Sequence, residues 1–333
     1  MNFDWLTWSN PVALWWGFLL LVSSMNIALW FVLRRHLQRR ALGVLCATFR
    51  VELMVMLCAA YVFGCAFRSV LPRADVQRFV LFDTWLSSVM VGRSVATVAE
   101  VCFAIQWAIV LYQLGRLARS DTARNIACAI VPLILTAECC SWYAVITTSY
   151  LGNTIENSLW AVAFLLITGG LLRLLYEFRG VMQLAIATAI AGVAVYLAFL
   201  VVIDVPMYFE RWQADLTGGK ELLSLIAGLH DVSARWVVTH DFAQWRDEIP
   251  WMSLYFSAAV WSSLALCGLG LVGDRLAHYR AAPARRPGPA RRFLPAIYQP
   301  PKLLPAVVSV RPVVPPDRLP ASASRGPNPT SSA

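Results

Sequence analysis

Seven apolar stretches, each long enough to cross a bilayer as a helix, recur along the 333 residues and constrain the fold more than any other feature. They run over 12–33, 50–69, 93–115, 126–150, 158–176, 181–204 and 251–273. Hydrocarbon offers no partner for backbone N–H and C=O groups, so each stretch must satisfy its own, as a helix does. The expectation is an all-α fold over residues 1–280: a polytopic integral membrane protein built as a seven-transmembrane-helix bundle. With only 14% charged residues against 59% hydrophobic ones, the chain has too little charge to clothe a water-soluble domain of this size.

The basic residues orient the bundle. Of the 28 Lys and Arg, 20 fall in segments 34–50, 116–124, 173–180 and 274–333. The other eight are Arg68, Arg73, Arg78, Arg93, Arg211, Lys220, Arg235 and Arg246, in the alternate loops. The positive-inside rule therefore places the N-terminus outside and the C-terminus inside. Trp5, Trp8, Trp15, Trp16, Trp85, Trp212, Trp236, Trp245 and Trp251 fit an interfacial belt on the outer side. The net charge of +9 then belongs to anionic lipids at the cytoplasmic basic segments, and no nucleic-acid partner is expected. Residues 281–333, rich in Pro and Arg, read as a disordered cytoplasmic tail. The location expected is the cell (inner or plasma) membrane.

Between the spans, FVLFDTWLSSVMVG (79–92) is too short to cross and reads as a helix lying in the outer interface. Residues 206–250 form the sizeable outer loop, a cap over the bundle mouth, in which KELLSLIAGLHDVSARWVV reads as an amphipathic helix. DFAQWRDE begins like a helix capped by Asp241. In the sixth span Ala187, Ala191, Ala194 and Ala198 make a small stripe suited to close helix packing.

A carboxylate inside a span is costly and usually faces the bundle interior with a partner. Glu100 lies two turns from Arg93, roughly 10 Å deep from the outer side, and shares a face with Thr97. Glu138 lies roughly 18 Å deep, near the midplane. Glu156 and Asp204 come near the outer mouths of the fifth and sixth spans, beside Asn153 and Asn157. Together Arg93, Glu100, Glu138, Glu156, Asn157 and Asp204 trace a polar path inward from the outer surface, a site for a ligand or a proton. Asn26 and Ser23 add a polar spot in the first span. Two His-Asp pairs, His230-Asp231 and His240-Asp241, offer imidazole and carboxylate suited to a divalent metal. Beyond that metal no cofactor is expected.

Several functions are excluded. The lysines are Lys220 and Lys302, outside every span, so no retinal Schiff base forms. His36, His230, His240 and His278 fall in loops or tail, which removes a membrane haem held by span histidines and a His partner for a buried serine. GLGLVGD (268–274) is not the GxGD of an intramembrane aspartyl protease, and no phosphate-binding glycine loop is present. The residues favour a multi-pass protein that binds or transports a small cationic or protonatable solute through an acidic cavity opening to the outer side. The alternatives are a membrane-embedded metal-dependent enzyme acting on a lipid or outer-surface substrate, and a structural or sensory subunit.

Overall fold

The computed structural model describes residues 5–41 and 45–269. The last four residues expected in the seventh span, the arginine-rich segment after it and the tail at 281–333 lie outside the described residues. Seven helices are long and apolar enough to span a bilayer: Pro11–Arg39, Val51–Val70, Val89–Ala118, Asp121–Thr147, Tyr150–Leu175, Val181–Thr217 and Ile249–Leu269. The chain is a seven-helix membrane bundle. We label the helices α1 (Pro11–Ala41), α2 (Leu45–Val70), α3 (Val89–Ala118), α4 (Asp121–Thr147) and α5 (Tyr150–Leu175). The sixth span is α6 (Val181–Phe199), a π-helical turn at Leu200–Asp204, and α7 (Val205–Thr217). After the short helices α8 (Leu225–Ala234) and α9 (Phe242–Trp245), the seventh span comprises α10 (Ile249–Leu254), a π turn at Tyr255–Ala259, and α11 (Val260–Leu269).

Helices α3, α4 and α5 form the tightest part, because two-residue links join them. Arg119 and Thr148 adopt left-handed backbone conformations at the ends of α3 and α4. Each reverses the chain while the next amide bonds back into the helix, Ser120 to the Gly115 carbonyl at 2.8 Å and Ser149 to the Ala144 carbonyl at 3.0 Å. The Ser120 side chain then caps α4 by accepting from the Ala123 amide. Gly152 permits α5 to cross α4 closely, since a Cβ there would lie 2.7 Å from the Cys140 carbonyl oxygen and from the Ala144 Cβ. Elsewhere α1 meets the seventh span through Asn26, whose amide donates to the Phe256 carbonyl at 2.9 Å and accepts from the Trp261 indole at 3.0 Å. Phe256 sits in the π turn, where widened spacing leaves a carbonyl free for such a partner. Asn26→Leu is expected to lower stability by about 1 kcal/mol, measured by denaturant titration in micelles.

One end of the bundle carries a built cap. Strand β1 (Arg73–Ala74) pairs antiparallel with β2 (Phe79–Val80), and β2 pairs parallel with β3 (Val237–Val238). Segment 79–92 is therefore not one interfacial helix: it holds β2, a short 3-10 turn at Trp85–Ser87 and the first turn of α3. The reason is Arg78, fully buried with left-handed φ. Its guanidinium donates to Asp231 (2.8 Å), to the Val145 carbonyl (2.7 Å) and to the Asp75 carbonyl. These contacts tie the loop to α8 and to the end of α4. Helix α8 covers the ends of α3 and α4 and turns Leu225, Ile226 and Leu229 outward. A Cβ at Gly228 would overlap the Ile146 carbonyl oxygen. Gly228→Ala should accordingly lift α8 from α4, read as faster amide exchange over residues 225–234 with the spans unaffected.

Asp75 is held by Arg73, whose Nε donates at 2.6 Å, and by Arg68 at 4.0 Å. Burial opposes ionisation of the Asp75 carboxyl, but these cations win and hold it at about 2. A depressed carboxyl contributes stability that is present above its ordinary value of 3.8 and is lost as the pH falls through about 2. Amide exchange over residues 71–83 is expected to accelerate across that interval before the spans respond. In the sixth span, Ala187, Ala191, Ala194 and Ala198 are all exposed, so the small stripe packs against no neighbour among the described residues.

Candidate functional site

Four charged side chains from three helices meet inside the bundle. Arg93, one turn into α3, directs a single guanidinium nitrogen, Nη2, at Glu100 (3.1 Å), Glu138 (2.8 Å) and Glu156 (3.1 Å). Glu100 lies two turns further along α3, Glu138 comes from α4 and Glu156 from α5; all four are buried. Helical periodicity gathers the α3 pair, because residues seven apart share a face. The two tight links then fix α4 and α5 in register with it.

Neighbours complete the arrangement. The Thr97 hydroxyl donates to Glu138 at 2.6 Å and accepts from the Trp142 indole at 3.1 Å. Tyr255, at the π turn of the seventh span, donates its hydroxyl to Glu100 at 2.9 Å, and the Asn153 amide donates to Glu156 at 3.2 Å. With every group ionised, three carboxylates surround one guanidinium. Buried charge has to be offset locally, so an ionised cluster calls for protons or a further cation.

A cavity of about 250 Å³ opens beside this cluster. Glu100, Glu156, Asn157 and Asp204 line it, as does Arg93; Glu138 does not. The deep acidic pair expected from the sequence, Glu100 with Glu138, is thus replaced at the cavity by Glu100 with Glu156, and Glu138 stands behind Arg93. Glu156 belongs to the second turn of α5, because that helix begins at Tyr150 and not at the expected 158. Asp204 occupies the π turn that joins α6 to α7.

The aromatic wall was not among the sequence expectations. Tyr61, Phe103, Trp107, Trp160, Tyr196 and Trp251 line the space. The signal available was spacing: Phe103 and Trp107, and likewise Trp251 and Tyr255, stand four residues apart on one helical face. Five lining residues keep polar atoms without a partner among the described residues: the Tyr61 hydroxyl, the Trp107 indole N–H, the Asn153 carbonyl oxygen and the Nε–H groups of Arg68 and Arg93. At the capped end Glu248 also lines the cavity and accepts from Trp251 (2.7 Å) and Gln77 (3.1 Å). Burial raises the Glu248 carboxyl, with the Trp251 N–H and Arg211 opposing. The cavity's capped end is thus lined by Gln77 and Glu248, and α8 lies off it.

The His-Asp residues do not come together. Asp231 pairs with Arg78 and Arg235. His230 is exposed, and its carbonyl accepts from Ser233. The His240 ring stacks on Trp5 at 4.2 Å, with Nε2 2.9 Å from the Leu81 carbonyl oxygen. Asp241 accepts from the Ala243 amide and caps α9, as its sequence predicts. Among the described residues the set whose ligand atoms lie within 4.8 Å of one another is Glu100, Glu138 and Glu156. The Arg93 nitrogen already stands within hydrogen-bond reach of all three, so a metal there would have to displace a guanidinium.

No protein-family model matches the chain, and neither a curated protein nor a solved structure matches it.

Proposed function

We propose that this membrane protein binds, and passes across the bilayer, a small cationic or protonatable solute held between Glu100 and Glu156. The observation that carries the reading is an aromatic-walled cavity whose polar end presents two buried carboxylates beside Arg93. Carboxylates supply the opposite charge, and the faces of Trp160 and Tyr196 attract an ammonium by about 2 kcal/mol when it is desolvated, whereas the Trp251 ring already carries the Arg68 guanidinium, 5.8 Å from its centroid. The unpartnered Asn153 carbonyl oxygen is a further acceptor. Asp204 and Asn157 belong to the approach. We read the capped end as the outer one from the charge bias, and the basic segments at the other end as contacts for anionic lipid.

The test uses the full chain in nanodiscs. Ethylammonium is expected to change tryptophan fluorescence saturably, since Trp107, Trp160 and Trp251 line the cavity. Absence of both that change and ethylammonium uptake into vesicles would remove the reading.

A further inference from the structure

The bundle is split along one side. The seventh span packs on α1, α2 and α3, and the remaining spans follow in order to α6, yet the sixth and seventh hardly touch. Both of them line the cavity instead, through Tyr196 and Phe199 on one side and Tyr255 and Ala258 on the other. At the capped end the split is tied shut, because Arg211 of α7 bridges to Asp247 (3.1 Å) and Glu248 (3.4 Å). Below that tie Val195 and Leu254 line the cavity while 73% and 40% exposed, so they stand at its edge toward the bilayer. Trp107 also lines a second, separate cleft of about 30 Å³, to which the sixth and seventh spans both contribute. Val110, Leu114, Met182, Ile186, Ala189 and Leu266 line this second cleft.

A hydrophilic ion has no reason to follow such a wall. A hydrocarbon chain does. From Glu100 to Leu114 the distance along α3 is about 21 Å at 1.5 Å per residue, enough for a chain that fills one leaflet's half of a core about 30 Å thick. Resting on the function proposed above, we infer that the ligand is a single-chain amphiphile with a protonatable amine head. It enters sideways from the bilayer between the sixth and seventh spans, seats its head between Glu100 and Glu156, and lays its chain past Trp107 into the apolar cleft. Because the chain is equally well solvated in lipid, selectivity comes from the head, where the carboxylates favour a cation and repel an anion.

The experiment places the full chain in phosphatidylcholine nanodiscs containing octadecylamine with a mid-chain diazirine, or the fatty acid with the same chain and diazirine. After illumination, the amine is expected to label residues 185–189 and 264–269 about tenfold more than the acid, and Glu100→Gln to bring labelling down to the acid's level. Ala189→Trp fills the apolar cleft and should abolish amine labelling while ethylammonium still changes the fluorescence. Ala189→Leu is the milder variant if the tryptophan perturbs folding. Equal labelling by amine and acid overturns the inference. Ethylammonium binding without labelling by the amine overturns it as well, while leaving the small-solute reading standing. Failure of both probes overturns both.

Discussion

Arg93→Met is expected to destabilise the bundle by about 3–5 kcal/mol, the usual consequence of removing one partner from a buried ionic group. One nitrogen of this residue serves three carboxylates at 2.8–3.1 Å. Methionine fills similar space and supplies no charge, so Glu100, Glu138 and Glu156 would face one another with no cation between them. Denaturant unfolding in micelles measures the loss. The double variant Arg93→Met with Glu138→Gln should recover part of it, because Glu138 stands off the cavity and has the fewest routes to water. Wild-type stability in the single variant would mean that the guanidinium does not hold the three helices together.

Glu100→Gln and Glu156→Gln are expected to weaken ethylammonium binding by about 10- to 100-fold each, the equivalent of roughly 1.5–3 kcal/mol for a charge-assisted contact. Both residues line the cavity, and glutamine keeps their shape and removes their charge. Glu138→Gln supplies the contrast. It sits behind Arg93, bonded to Thr97, so its loss should change stability and leave affinity within a few-fold. Tryptophan fluorescence titration on the three variants separates the roles. Equal weakening by all three would show the cluster acting as a unit, and unchanged binding in Glu100→Gln would remove the carboxylate from ligand recognition.

The boundaries where hydropathy misleads are informative. Asn153, Glu156 and Asn157 look like a loop, which places the start of the fifth span at 158. In the structure they occupy the first two turns of α5, and Asn153 and Glu156 are buried. Spacing of three and four residues made them one polar helical face, but averaging over a window erases a face. Arg73 and Arg78 read as loop charges but are buried, because each meets a specific carboxylate and carbonyl set: Arg73 donates to Asp75 and the Ser88 carbonyl nearby in the chain, Arg78 to Asp231 and the Val145 carbonyl from distant segments. The converse error is the alanine stripe of α6: small residues permit close approach, but they do not supply the neighbour.

By itself the sequence determined that seven segments cross the membrane, and that Arg93 and Glu100 share one face of the third. Both follow from local physics: the cost of burying unpaired backbone, and the period of a helix. Only the tertiary structure decided that Glu138 and Glu156 converge on the same nitrogen, that Glu156 and not Glu138 reaches the cavity, and that the sixth and seventh spans stand apart. Those outcomes depend on how each helix is rotated and which helices pack together, which contacts between residues far apart in the chain settle and no local pattern encodes.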